Sequence, residues 1–164
     1  VLPSYHKLLR DPLTLRLGMN IWPPYWGAGI VVQYIHPEFR QVRVALKDRI
    51  LNRNYVGTHF GGSLFAMTDP FFMLMVMRSL DRTYLVWDKA AQITFIKPGK
   101  GTLIADMRVT AEDIEDIRQR TAEGQKYERE FSAEVRNQSG ELVAKVIRTV
   151  YIRLKPEYRP QMQA

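Results

Sequence analysis

The chain has 164 residues, enough for one domain with a single sizeable core, and its hydrophobic content of 46% and charged content of 25% are ordinary for a globular fold. It has no cysteine, which excludes disulfides, thiolate metal sites and a cysteine nucleophile and fits a reducing, cytoplasmic setting. The net charge of +7 comes from scattered basic residues, not from a dense block interleaved with aromatics, so a nucleic-acid partner has only net charge behind it and is not expected.

In chain order, Val1 to Arg10 lacks the long apolar core of a secretory signal. Leucines at 8, 9, 13, 15 and 17, interrupted by Pro12, predict one or two short helices over Ser4–Leu17, and Trp22-Pro23-Pro24-Tyr25-Trp26-Gly27 predicts a rigid aromatic loop. Ile30 to Ile35 and Gln41 to Lys47 alternate as two strands around a His36-Pro37-Glu38 turn. Gly61 to Leu80 is apolar on almost every face, which predicts a helix buried nearly all round. Thr68, Asp69 and Pro70 interrupt this run, and its apolar length is too short to span a membrane.

Tyr84 to Ile96 then predicts one long or bent strand, ended by the Lys97-Pro98-Gly99-Lys100 turn. Leu103 to Val109 predicts another, Thr110 to Asp113 a capping box for a helix reaching about Ala122, and Tyr127–Val135 and Leu142–Leu154 the last two. Late strands joined by tight turns favour an antiparallel sheet. About six such strands curled around one greasy helix is an α+β hotdog fold, expected as a single domain over 1–164 with a helical extension at about 1–20 and its core at about 28–155.

Chemistry concentrates in Asn54 to Asp69. Gly61 and Gly62 open the apolar helix, where the first N–H groups lack intrahelical acceptors and suit a carbonyl oxygen gaining negative charge; tight helix–sheet packing explains the same pair equally well. Asp69 is a carboxylate on a helix that otherwise rejects charge, so it is either a wet functional group or a structural hydrogen-bonding one. On a continuous helix it stands about 12 Å along the axis from Gly61, too far for one chain to bring both to one reacting carbon. Two antiparallel copies facing each other remove that difficulty.

The stretch resembles the hotdog acyl-CoA thioesterases of the phenylacetyl-CoA thioesterase type, through Asn54, Gly61, Gly62 and Asp69 at the spacings of their helix-opening signature and through Ile93 to Gly99. It is more similar still to an uncharacterised bacterial hotdog branch with a Gly-Thr-His-Phe-Gly-Gly-Ser-Leu segment and a Trp-Asp-Lys-Ala-Ala strand, here Gly57–Leu64 and Trp87–Ala91. The resemblance implies glycine N–H groups that polarise a thioester carbonyl, Asp69 of a partner copy as base or nucleophile, and Asn54 as an orienting group. It implies a homodimer, or a tetramer of two dimers, with no cofactor beyond the coenzyme A or acyl carrier that forms part of the substrate. Phe60 stands where those enzymes have histidine, His59 one place earlier, and Asp88 where some relatives carry serine or threonine; a carboxylate there raises the pKa of Asp69 if the two are close.

His59, Phe60 and Asp88 are expected on the substrate-binding side of the site, and Arg53, Lys97 and Lys100 to meet phosphates. A dehydratase would need glutamate where Met73 stands, and a hydratase needs aspartate where Asn54 stands, which cannot act as a base. Three isolated histidines make no metal cluster. The competing expectation is a non-catalytic acyl-binding or scaffold protein.

Overall fold

The computed structural model describes residues 11–160, so the part of the one or two helices expected over Ser4–Leu17 that precedes Asp11 lies outside the described residues. Helix α1, Pro12–Ile21, starts where Asp11 accepts the Thr14 N–H at 2.7 Å. Pro12 therefore does not interrupt a helix but begins one, because the first turn needs no proline N–H. The expected aromatic loop is also a helix, α2 (Pro23–Ala28), for the same reason: Pro23 and Pro24 fix the first turn, and Gly29 closes it at φ 74°. Tyr25 is buried by this turn, whereas Trp26 stays exposed.

Six strands follow as expected: β1 (Ile30–Ile35), β2 (Gln41–Leu46), β3 (Tyr84–Phe95), β4 (Leu103–Arg108), β5 (Tyr127–Asn137) and β6 (Leu142–Leu154). They form one antiparallel sheet in the order β1-β2-β4-β5-β6-β3. Among the described residues β3 pairs only with β6, and a register shift between Asp88 and Ala90 bends it. Its other edge is unpaired among those residues, and Ala90, Ala91 and Gln92 at its middle are exposed.

The apolar run is not one helix. It divides into α3 (Gly61–Ala66) and α4 (Phe71–Ser79), with Met67–Pro70 as the turn between them. Pro70 has no N–H to donate back into α3 and becomes the cap whose carbonyl accepts from Leu74 at 3.0 Å. Leu64, Met67, Phe71, Phe72, Met75 and Val76 are buried in the core with inward residues of the strands, and Phe72 stacks on Phe131 at 5.1 Å. The opposite flank is less covered than all-round apolarity predicts, since Phe65 and Met73 are half-buried and Met77 is exposed.

Helix α5 (Ala111–Thr121) crosses between β4 and β5 and buries Ile114 and Ile117. Its expected capping box is present: Thr110 accepts the Asp113 N–H at 3.1 Å, and the Asp113 carboxylate accepts the Thr110 N–H at 2.9 Å. Thr110→Ala should therefore lower stability by about 1 kcal/mol, read as a shift in the urea midpoint without a change in slope.

Candidate active site

Breaking the helix changes the setting of Asp69. Instead of lying among methionines and phenylalanines on a continuous helix, it sits in the α3–α4 turn with its side chain 54% exposed. The charge is tolerated because the turn lifts the carboxylate off the apolar face. Two groups hold the turn from below. The buried Tyr25 hydroxyl donates to the Asp69 carbonyl, and Thr68 donates to the Phe65 carbonyl at 3.0 Å. Burial, with the nearby Asp69 carboxylate adding to it, holds the Tyr25 hydroxyl well above its ordinary pKa, so it remains a donor.

Under the turn lies Arg148 of β6, 2% exposed at its side chain. A guanidinium cannot shed its charge in a protein and must find partners. Its Nη1 donates to Asp69 Oδ2 at 3.0 Å and to Asp88 Oδ2 at 3.4 Å, Nη2 to the Phe65 carbonyl at 3.0 Å, and Nε to Thr68 Oγ1 at 3.2 Å. The Phe65 ring covers it, 4.9 Å from ring centre to guanidinium carbon. One buried cation thus ties α3, the turn, β3 and β6 together.

Asp88 and Asp69 are brought to the same guanidinium, as the sequence allowed. The resulting shift appears at Asp88: burial pushes its carboxyl above the usual range, Arg148 pulls it back, and Asp69 adds to the rise. Its Oδ1 is buried with no hydrogen-bond partner among the described residues. Sequence reading overlooked Arg148 as a site residue. The signal was there, because Arg148 falls in the inward phase of β6 with Val146, Val150 and Ile152, where a charge is out of place.

The remaining candidates lie around the start of α3. Phe60 is its N-cap, 59% exposed, and the first helical bond is donated by Ser63 to the Phe60 carbonyl at 2.9 Å, leaving the Gly61 and Gly62 N–H groups ahead of it. A methyl on Gly61 would meet the Phe95 ring at 2.9 Å, and one on Gly62 the Phe60 ring at 2.4 Å. His59 is buried, with Nε2 2.7 Å from the Gly101 carbonyl. Asn54 closes its own loop, accepting from the Val56 and Thr58 N–H groups and donating to Thr58 Oγ1. Arg53 is paired with Asp48 at 2.7 Å and Lys97 with Glu141 at 2.6 Å, while Lys100 is exposed in the turn before β4.

Strand β3 gives the scale between these two groups of residues. The start of α3 packs at its Phe95 end, and Asp69 shares Arg148 with Asp88, seven residues back. Seven strand residues span about 23 Å. These are contact points on β3; the glycines and Asp69 themselves are separated only by the six-residue α3 and the turn that follows it. Among the described residues, no group of three or more His, Asp or Glu is placed to hold a metal ion, and no helix is long and apolar enough to cross a membrane.

A family model described as a domain of unknown function, DUF4442, matches residues 12–152. No curated protein is a significant match. Among solved structures, the chain is similar to a Pseudomonas aeruginosa protein of unknown function titled a probable thioesterase, with TM-score 0.75 and 21% identity over 89% of this chain and 99% of that one. It is also similar to a Haemophilus influenzae thioesterase, with TM-score 0.65 and 11% identity over 92% and 95% of the two chains. At these identities the likeness establishes the α+β hotdog fold, shared with thioesterase-like proteins.

Proposed function

The chain belongs to the DUF4442 family, a domain of unknown function, and from that premise we propose that it hydrolyses acyl thioesters, with coenzyme A as the expected carrier, at a site shared by two copies. The observation that carries the proposal is Asp69: an exposed carboxylate bonded by a buried guanidinium, on a turn whose Asp69 main-chain carbonyl accepts from a buried tyrosine. Such a group is oriented before substrate arrives, as a base or nucleophile requires.

As base, Asp69 takes a proton from water while the water oxygen bonds to the thioester carbonyl carbon. The C–S bond then breaks, the acid is released, and the thiolate leaves with the proton. Direct attack by the carboxylate, followed by hydrolysis of the mixed anhydride, gives the same products. In either route the carbonyl oxygen gains negative charge, and the Gly61 and Gly62 N–H groups of the second copy are its donors in this reading.

The unpaired β3 edge supports the pairing of copies. Antiparallel association of two β3 strands about Ala91–Gln92 sets residue 88 of one copy against residue 95 of the other, and so Asp69 of one beside the α3 start of the other. The purified protein is then expected to run at twice the chain mass by light scattering, and a single-chain mass at assay concentration would exclude the shared site.

The test of the activity is thiol release from short, medium, long and aromatic acyl-CoAs and from an acyl carrier thioester. Turnover on at least one class is expected. A second reading, a non-catalytic acyl-binding protein, is favoured by one observation: Arg148 already occupies Asp69 Oδ2. Saturable acyl-CoA binding with no thiol release on any substrate would establish that reading instead.

A further inference from the structure

Arg148 makes more contacts than a carboxylate clamp needs. Orienting Asp69 takes one Nη1 bond; the same nitrogen is also within 3.4 Å of Asp88 Oδ2, and Asp88 comes from a different element, β3. The two carboxylates differ in exposure, 54% for the Asp69 side chain and 19% for Asp88, and Asp88 Oδ1 has no hydrogen-bond partner among the described residues. Asp88 is the less exposed of the two, and it shares the cation that holds Asp69.

We propose that Asp88 and Arg148 form a positioning pair for Asp69, in which the charge state of Asp88 sets how tightly the shared guanidinium engages the Asp69 carboxylate. With Asp88 neutral, Arg148 is left to Asp69, which is held firmly and gives up its lone pair reluctantly. With Asp88 ionised, the guanidinium is divided between two anions and Asp69 is released toward its reaction. No element moves; the coupling between the two aspartates passes through one nitrogen, Arg148 Nη1.

The charged neighbours centre on three groups. Arg148 reaches Asp88 and Asp69 from β6. Tyr25 of α2 donates to the Asp69 carbonyl and lies near enough to both Asp69 and Arg148 for their charges to act on its hydroxyl, which burial keeps protonated. On β3 itself the nearest charge, Lys89, is held by Glu128 of β5 at 2.7 Å. Burial raises the Asp88 carboxyl above its ordinary range, Arg148 opposes the rise and Asp69 adds to it.

As a statement about catalysis, this rests on the thioesterase reading of Asp69, but the coupling itself does not, and the experiment separates the two. The Asp69 side-chain carboxyl carbon is followed by NMR across the acid range in the intact protein, in Asp88→Asn and in Arg148→Lys, which keeps a charge but not the fork. In the wild type the Asp69 signal is expected to show a second inflection at the pH where Asp88 titrates. Asp88→Asn loses that inflection, and Arg148→Lys diminishes it. Where thiol release is measurable, Asp88→Asn also loses the corresponding ascending limb of the pH–kcat profile with KM unchanged, which a merely structural role would not produce. An Asp69 titration that is identical in the wild type and Asp88→Asn overturns the proposal whether or not the protein turns over thioesters.

Discussion

Asp69→Asn is expected to lower kcat for thioester hydrolysis by about 10² to 10⁴ while leaving the fold intact, the range associated with losing a positioned general base. Asparagine has nearly the same shape, and its oxygen still accepts from Arg148, so the turn keeps its geometry. The guanidinium also retains Asp88, Thr68 and the Phe65 carbonyl. What is lost is the lone pair that takes a proton from water or attacks the carbonyl. Circular dichroism and the urea midpoint should stay near those of the wild type, and KM should change far less than kcat, because the interaction is made in the transition state. A variant that retains wild-type kcat would remove Asp69 from the mechanism.

Arg148→Met should be the most destabilising single change in the site, at about 3 to 5 kcal/mol. The side chain is almost fully buried and satisfies two carboxylates, a carbonyl and a hydroxyl. Methionine fills part of the volume but leaves Asp88, half-buried and with one oxygen already unpartnered, without its cation. Arg136→Met provides the comparison. Arg136 pairs with Glu134 at the surface, where both side chains are exposed, and its loss should cost no more than about 1 kcal/mol. The two urea midpoints measured side by side test this; equal shifts would mean that Arg148 is not the keystone of the turn.

The sign of the pH dependence follows from Asp88. Its carboxyl is raised above the ordinary 3.8, so the folded state holds its proton to higher pH than the unfolded chain does. Stability from this group is complete below 3.8 and is lost as pH rises through the raised value. Asp88→Asn removes that loss, so the stability of the variant relative to the wild type should improve across this window.

Much of the architecture was legible because it rests on alternation and punctuation. Phe131, Ala133 and Val135 on β5 are buried in strict alternation, Val42, Val44 and Leu46 on β2 are buried with Ala45 joining them, and Gly124 and Gly140 take up positive φ beyond the α5 helix and in the β5–β6 turn. The helix break was encoded in Pro70 but was outweighed by the apolarity on either side of it. The α2 helix was hidden by its two prolines, which suit a loop as well as a first helical turn. Asp69 was legible as an anomalous charge, and Asp88 through its place in the Trp87–Ala91 segment. Arg148 was not, because its partners lie 60 or more residues away in sequence and no local spacing connects them.

Mixed dimers test the shared site most directly. Asp69→Asn removes the carboxylate, and Gly62→Val crowds the start of α3, where even a methyl would meet the Phe60 ring at 2.4 Å. Each variant alone should be folded, dimeric and nearly inactive. Refolded together, they should regain a substantial part of wild-type thiol release, because each mixed dimer holds one site with an intact aspartate from one copy and intact glycines from the other. A mixture that forms mixed dimers but stays as inactive as its parents would contradict a site built across two copies.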